Sequence, residues 1–145
     1  MDLSGEIELP APRQQVWEAL NDPEILKQCI PGCNEFEKIS DTEFEAQITA
    51  KVGPVKAKFV SKVTLDELKP PQSYTLIGEG KGGIAGFAKG NVEVELVEEG
   101  EGTLLKYTSA VQIGGKLAQV GSRLFSSAAK KWVAEFFSAF EEVVS

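Results

Sequence analysis

Two cysteines are the residues of this chain with the most obvious capacity for chemistry. Cys29 and Cys33 flank Ile30-Pro31-Gly32 and are the only cysteines among 145 residues. A disulfide framework in a secreted domain usually shows more cysteines in a shorter chain, and a zinc site would need two further ligands in a sequence without histidine. We therefore expect two reduced, partly buried thiols, with a redox-active pair as the alternative.

Catalysis by side chains has little support in the sequence. Histidine, the commonest general base and the usual partner of a nucleophilic serine or cysteine, does not occur. The carboxylate pairs Glu98-Glu99 and Glu141-Glu142 fall in a predicted turn and near the last residue, where solvated charge is the ordinary interpretation. We therefore predict a protein that is not an enzyme, with no catalytic residues, no metal site and no cofactor.

A glycine-rich segment has the spacing of a nucleotide-binding motif. Residues 78–83 read G-E-G-K-G-G and match G-x-G-x-x-G, the dinucleotide fingerprint. That fingerprint requires a helix directly after it to hold the pyrophosphate, whereas residues 86–96 alternate as a strand does. We interpret the glycines instead as a flexible hairpin, Gly80 to Gly86, that could gate one mouth of a sheet.

Length, charge and hydropathy bound the class of protein. With 145 residues, of which 42% are hydrophobic, the chain suits a single domain over residues 1–145. The net charge of −7 argues against nucleic acid as a partner, because that requires clustered basic residues. No apolar run approaches the roughly 18 residues of a spanning helix, and the N-terminus lacks the order of a signal peptide. We expect a soluble, cytoplasmic protein.

Hydrophobic periodicity predicts the helices and strands of the chain. Alternation from Leu3 to Leu9 predicts a strand, residues 13–20 have helical spacing, and Asp22 before Pro23 predicts the start of a second short helix. Alternation then predicts six strands near residues 34–40, 43–52, 55–68, 73–80, 86–98 and 103–113. Residues 114–145 have apolar side chains every three or four positions, which predicts one long amphipathic helix.

This order of elements predicts an α+β protein with a helix-grip arrangement, in which a curved antiparallel β-sheet wraps around a long C-terminal helix and two short helices follow strand 1. Many inward positions of the strands carry very small side chains, such as Ala57, Ser61 and Gly90. Because protein interiors are densely packed, something else must fill that volume. We predict a pocket of a few hundred Å³ for an apolar ligand, and keep as the alternative that Trp132 and other large residues of the helix fill it.

The predicted lining of this pocket combines apolar side chains with a few hydroxyl groups. Its members come from three strands and from the first part of the C-terminal segment, and are Ala57, Phe59, Ser61, Val92, Tyr107, Ser109, Leu117, Val120, Gly121 and Leu124.

The second half of the C-terminal helix is apolar around much of its circumference, so one sheet cannot easily cover it. This predicts an exposed patch that meets a membrane or a partner protein, with Lys130, Lys131, Val133, Phe137 and Val144 in contact. A positive excess in this segment of an acidic chain would favour anionic lipid. A bent helix and a homodimer contact are the alternatives.

Nearly the whole chain resembles one family. Residues 9–12 (LPAP), 16–17 (VW), 20–23 (LNDP), 29–33 (CIPGC), 51–59 (KVGPVKAKF), 86–90 (GFAKG) and 114–124 (GGKLAQVGSRL) are similar to the G subunit of carbon monoxide dehydrogenase, within the START-like, or SRPBCC, superfamily. The resemblance implies a helix-grip fold with a hydrophobic cavity and an accessory role beside a molybdenum hydroxylase complex. It also implies membrane attachment of that enzyme, expected here to be peripheral at the inner face of the cell membrane, and carriage of a lipophilic partner such as a quinone or lipid.

Two other functions remain as alternatives. One is a protein-interaction module that assists assembly of the hydroxylase and has no physiological ligand. The other is a small cyclase or hydrolase, which would require a titratable group inside the cavity, and among the predicted inward residues only Tyr107 and hydroxyl groups are available.

Overall fold

The computed structural model describes residues 2–145 and contains one antiparallel sheet of seven strands. The strand order across the sheet is β1-β7-β6-β5-β4-β3-β2, so consecutive strands pair from β2 to β7 and the first strand then pairs with the last. The strands are β1 (Asp2–Leu9), β2 (Cys33–Lys38), β3 (Glu43–Val52), β4 (Val55–Lys69), β5 (Ser73–Lys81), β6 (Phe87–Glu99) and β7 (Gly102–Gly114). The predicted α+β class and the curved antiparallel sheet with a long C-terminal helix are confirmed.

Two short helices follow β1, as predicted. They are α1 (Arg13–Leu20) and α2 (Pro23–Cys29). The Asp22 side chain accepts a hydrogen bond from the Glu24 backbone N–H at 3.0 Å, and Pro23 occupies the first turn. Proline suits this place because the missing N–H would have no partner within the helix.

The prediction of one continuous C-terminal helix is wrong. The segment contains a short helix α3 (Lys116–Gln119) and a long helix α4 (Ser122–Val144). Between them Gly121 has a φ of 91°, a conformation that residues with a side chain rarely adopt, so the helical path is interrupted there. The apolar spacing continues across the interruption, which is why periodicity alone did not reveal it.

The main core lies where α1, α2 and the last turns of α4 meet one end of the sheet. Val16, Leu96, Leu105 and Phe140 are almost completely buried there. The rings of Trp17 and Tyr74 meet edge to face in the same cluster, with their centroids 5.4 Å apart. This core fixes the end of α4 against the sheet.

A second, smaller core lies at the opposite end of the same sheet face. Phe59 of β4, Leu117 of α3 and Ala85 form it, and Ala85 belongs to a 3₁₀ turn, Gly83–Ala85, between β5 and β6. The buried apolar residues therefore form two separate clusters rather than one continuous core.

The predicted contact patch near the end of the C-terminal helix is only partly at the surface. Val144 is only 2% exposed, and the ring of Phe137 stacks on Tyr107 at a centroid distance of 6.0 Å. The physical reason is that α1 and α2 cover the side of α4 that the sheet leaves open, and Gln15 Nε2 donates a hydrogen bond to the Val144 carbonyl at 3.2 Å. Of the other predicted contact residues, Lys130 and Lys131 are exposed and Val133 is half-buried.

Hydropathy along the helices bears on membrane insertion. Within residues 2–145, none of the helices has the length and apolar character needed to cross a bilayer.

Candidate ligand site

The sheet face that points toward α4, called here the inner face, has two adjacent rows in which glycine, alanine and serine alternate with four larger apolar residues. The rows lie between the two cores, and Phe44 at the end of the second row belongs to the main core. Partners in an antiparallel sheet point to the same face, so the strand register defines these rows. The first row runs across five strands through Ala46, Ser61, Gly80, Ala88 and Ile113. The second runs beside it through Phe44, Val63, Gly78, Gly90 and Val111. We call these ten residues the small-residue belt.

The belt is not sealed by the helix above it. On the four strands β4 to β7, every belt residue remains partly accessible, whereas the clusters on either side contain residues that are almost fully buried. A close-packed interior would bury these positions. Ser61, Gly78, Gly90 and Val111 also border an open depression on the opposite face of the sheet. Room above the inner face is therefore indicated by the accessibility of Val63, Ala88 and Ile113.

The absence of a side chain has different structural consequences at Gly90 and at Gly78. At Gly90 a Cβ atom would lie 2.2 Å from the Ala110 carbonyl oxygen, so the backbone itself excludes a side chain there. At Gly78 the nearest atom to a Cβ would be Leu76 Cδ2 at 3.6 Å, an ordinary van der Waals contact. The absence of a side chain at Gly78 therefore leaves usable space above the belt.

Three of the predicted lining residues belong to the smaller core. Phe59 and Leu117 are buried in it and Ala57 packs against it half-buried. The Phe59 ring lies directly against Gly82, where a Cβ would come within 2.6 Å of the ring. These residues close one end of the belt.

Four more predicted residues lie on the inner face itself. Ser61 is a member of the belt, and Val92 and Ser109 are direct partners on β6 and β7 in the next row toward the main core. Tyr107 is held between Phe137 and Gly5, where a Cβ would lie 2.8 Å from the Tyr107 hydroxyl oxygen. Ser61 and Ser109 thus place hydroxyl groups in an otherwise apolar surface, and Tyr107 bounds it.

The remaining predicted residues lie at the interruption between α3 and α4. Val120 is half-buried, Gly121 is exposed with no atom within 4 Å of where a Cβ would lie, and Leu124 is 41% exposed. Leu124 contacts the β3–β4 hairpin, because a Cβ on Gly53 would lie 2.5 Å from Leu124 Cδ2. This group borders the site at its edge and does not form its floor.

Sequence reasoning missed the part that Ala85 plays. The predicted hairpin Gly80 to Gly86 contains a 3₁₀ turn whose last residue is buried in the smaller core. So short a stretch between glycines cannot show a helical period. The one available signal was an alanine within an otherwise glycine-rich tip.

The two thiols lie away from the belt. Both cysteines are free, with Cys29 buried and Cys33 half-buried at the start of β2. Burial raises the pKa of both thiols, although at Cys33 the charge of Lys27 and the backbone of Glu35 act in the opposite direction. Raised pKa values keep the thiols protonated and therefore weakly nucleophilic. Within residues 2–145, no group of three or more cysteine and carboxylate side chains is arranged to hold a metal ion.

A separate depression lies on the opposite, outer face of the sheet. It has a volume of about 930 Å³ and is open to solvent. Side chains of alternating charge line it, including Glu45, Lys62, Glu79 and Lys89, which point away from α4. This depression is therefore not the predicted apolar pocket.

The seven-stranded antiparallel sheet and the long helix α4 on its inner face define a helix-grip protein of the START-like class. Solved structures share this fold. A START superfamily protein from Mycobacterium smegmatis aligns with a TM-score of 0.75 at 15% identity, covering 99% of this chain and 96% of that one. The Zhui aromatase/cyclase from Streptomyces sp. R1128 aligns with a TM-score of 0.73 at 12% identity, covering 99% and 93%. At such identities the likeness concerns the fold alone.

The family is defined by closer matches. A conserved protein from Geobacillus kaustophilus aligns with a TM-score of 0.93 at 32% identity, covering 99% of this chain and 95% of that one. The sequence profile of the carbon monoxide dehydrogenase G subunit (CoxG) matches residues 5–145. The chain belongs to the CoxG family. Comparison with curated proteins finds no significant sequence match.

Proposed function

We propose that this protein binds a lipophilic ligand, a quinone or a similar lipid, between the small-residue belt and α4. The observation that carries the proposal is the division of the core into two clusters with a partly accessible belt between them. An unfilled apolar space costs dispersion contacts, and a ligand of matching shape restores them.

The chemistry of the inner face suits a quinone. Its isoprenoid tail would pack on apolar residues such as Val63 and Ile113, and its carbonyl oxygens would accept hydrogen bonds from hydroxyl groups such as those of Ser61 and Ser109. A few fixed polar groups in an apolar pocket are the usual way in which a site orients its ligand.

The proposed role is accessory and not catalytic. The ten belt residues include one hydroxyl group but no carboxylate, amine or thiol, so the chemistry available beside the ligand does not favour an acid–base mechanism. Membership of the CoxG family suggests that the partner is a carbon monoxide dehydrogenase-type molybdenum hydroxylase. In this role the protein would help recruit the enzyme to the membrane or deliver its electrons to the bound quinone.

A second candidate function is an assembly module without a physiological ligand. The open depression on the outer face favours it, because charged side chains around exposed Val60 and Ile77 could receive a protein surface. Under this alternative the inner space would have no occupant.

The ligand hypothesis is tested by filling the space. We expect Gly78→Leu to reduce uptake of a menaquinone analogue at least tenfold while the protein stays folded, because a side chain at Gly78 projects above the belt without a backbone clash. The matched control is Asn91→Leu on the adjacent strand, where the side chain is exposed on the outer face beside Ile77. Equal uptake by both variants and the unsubstituted protein would refute the assignment.

The natural occupant is found by extraction. Native mass spectrometry and organic extraction of protein purified from its own cells should release an isoprenoid quinone or another lipid. If the purified protein releases no lipid, the result supports the alternative function as an assembly module without a ligand. Partnership with the hydroxylase is a separate question, which copurification with a tagged form of this chain answers.

A further inference from the structure

A closed ring of contacts surrounds the end of the inner face where the smaller core lies. Phe59 meets the β5–β6 hairpin at Gly82, and that hairpin meets the turn between β7 and α3, where a Cβ on Gly115 would lie 2.5 Å from Gly86 Cα. Leu124 then returns the ring to the β3–β4 hairpin at Gly53. We call this end of the molecule the ring end. The opposite end is filled by the main core.

The ring end has an unusual backbone. Five of the seven glycines with positive φ belong to its turns, namely Gly53, Gly83, Gly86, Gly115 and Gly121. Glycine changes between such conformations at low energetic cost. The turns at Gly83 and Gly121, where nothing lies within 4 Å of a Cβ, can therefore rearrange more easily than the strands, whereas Gly86 and Gly115 pack closely on each other. Three buried side chains, those of Phe59, Ala85 and Leu117, and the partly buried apolar residues around them pack inside the ring.

The ring end is also basic, although the protein as a whole is acidic. The chain has 22 acidic residues, yet none occurs in the segments 46–65, 80–92 and 102–134 that supply the ring and its adjoining strands. These segments expose seven basic side chains near the ring: Lys51, Lys56, Lys58, Lys81, Lys89, Lys116 and Arg123. Glu79, just outside these segments, pairs with Lys81 at 3.4 Å on the surface and lies opposite Lys89 in the sheet.

Apolar side chains protrude from the same end. Ile84, at the tip of the β5–β6 hairpin, is 84% exposed, and Phe87 is 39% exposed beside it. Leu124 is 41% exposed on the far side of the ring. Protruding aliphatic and aromatic groups surrounded by flexible cations are the features by which peripheral proteins bind anionic bilayers.

We propose that the ring end docks on an anionic lipid bilayer and that the ligand passes through the ring between the bilayer and the inner space. This inference rests on the proposed ligand-binding function and adds the surface and the route. Six of the seven cations are lysines, which are depleted at protein–protein interfaces, so a lipid surface fits better than a protein partner. The docking surface differs from the helix patch that the sequence predicts around Phe137 and Val144.

Vesicle cosedimentation tests the docking surface. The protein should bind vesicles of phosphatidylcholine with phosphatidylglycerol, bind poorly to phosphatidylcholine alone, and lose binding as salt is raised. Lys56→Glu with Lys58→Glu should weaken binding by on the order of tenfold or more, since each basic residue near an anionic surface contributes roughly fivefold. Ile84→Glu should weaken it as well, and because its side chain has open surroundings it should not affect folding.

Matched controls lie at the opposite end of the sheet. Lys38→Glu with Lys69→Glu makes the same change in net charge, and Leu68→Glu places a carboxylate at another exposed apolar position. Vesicle binding should be retained in these variants apart from a small effect of net charge. Equal loss in both sets, or no binding to any vesicle, overturns the docking surface.

The two proposals fail in distinguishable ways. Uptake of a menaquinone analogue from detergent solution should be unchanged in Ile84→Glu, whereas its uptake from anionic vesicles should fall together with binding. Uptake from vesicles that survives in Ile84→Glu overturns the route through the ring. No uptake from detergent by the unsubstituted protein overturns the ligand function, while vesicle binding alone would still support the docking surface.

Discussion

Burial couples the ionisation of Tyr74 to folding. Tyr74 lies buried beside Trp17, and burial raises the pKa of its hydroxyl group far above the ordinary value for tyrosine. A raised pKa means that the folded protein keeps this proton at a pH at which the unfolded chain has lost it. The stabilising effect of the neutral phenol is complete below the unfolded pKa and decreases as the pH rises above it.

This gives a prediction for alkaline stability. Above about pH 10 the free energy of unfolding should fall by about 1.4 kcal/mol per pH unit from Tyr74 alone. In Tyr74→Phe that component should be absent, so urea unfolding between about pH 9 and pH 11 should show a shallower decline than in the unsubstituted protein. The difference between their free energies of unfolding at neutral pH serves as the reference. Parallel declines would show that Tyr74 ionises in the folded state as it does in the unfolded chain.

Alternation along the strands was enough to place several residues of the candidate site. A strand points successive side chains to opposite faces, so the inward positions of Ser61, Val92 and Ser109 follow from the sequence alone. Alternation does not show which helix residues lie above which strand. The position of Tyr107 against Phe137 depends on the angle of α4, and this is set by packing far away in sequence.

Among the elements, the turn between β7 and α3 carries the tightest conformational requirement. Gly115 has φ 70° and ψ −146°, a region essentially restricted to glycine, and its Cα faces Gly86 at close range. We expect Gly115→Ala to lower the free energy of unfolding by on the order of 3 kcal/mol. Chemical denaturation followed by tryptophan fluorescence measures the change.

The control for this substitution is Gly83→Ala. Gly83 also has a positive φ, of 63°, but nothing lies within 4 Å of a Cβ placed there. Its cost should be about 1 kcal/mol, which is the conformational penalty without a clash. If both variants lose the same stability, the close approach between the turn and Gly86 makes no energetic contribution.

The elements were predictable where one local rule governed the chain. All seven strands were identified because apolar and polar residues alternate, and the start of α2 because Asp22 precedes Pro23. The C-terminal segment was predicted as one helix because Leu117 and Leu124 keep the helical spacing on both sides of Gly121. Hydrophobic periodicity reports which side is buried and does not report whether the backbone continues unbroken.

On the scale of the whole molecule, the two cores should differ in how they open. The main core contains most of the buried side chains, and the smaller core contains three. Native-state hydrogen exchange should therefore show amides of the β5–β6 hairpin tip and α3 exchanging through local opening, with a free energy below that of global unfolding. Amides in β6 and β7 beside the main core should exchange only through global unfolding.

Truncations give the matching stability test. Phe140→Ala in the main core should cost about 3–5 kcal/mol, whereas Leu117→Ala should cost near the lower limit for a buried leucine, about 2 kcal/mol, and should mainly accelerate exchange at the ring end. A protein in which both variants speed exchange equally in all strands would have one cooperative core and not two.

The overall architecture could be predicted from the sequence, but the relation between distant segments could not. The order of strands and helices was sufficient for the helix-grip arrangement. The convergence of the acid-free segments 46–65, 80–92 and 102–134 on one end depends on strand register, which the sequence does not display. For the same reason the covering of α4 by α1 and α2, which buries Val144, was not foreseen.

The pairing of β1 with β7 has a consequence for folding during translation. Asp2 lies opposite Ala110 and Leu9 opposite Thr103, so β1 is translated roughly one hundred residues before its partner β7. At a synthesis rate of about 5–20 residues per second, β1 waits on the order of ten seconds with the backbone N–H and C=O groups of its β7-pairing edge unpaired. An unpaired strand is a template for pairing with another chain, so misassembly through β1 is possible throughout this interval.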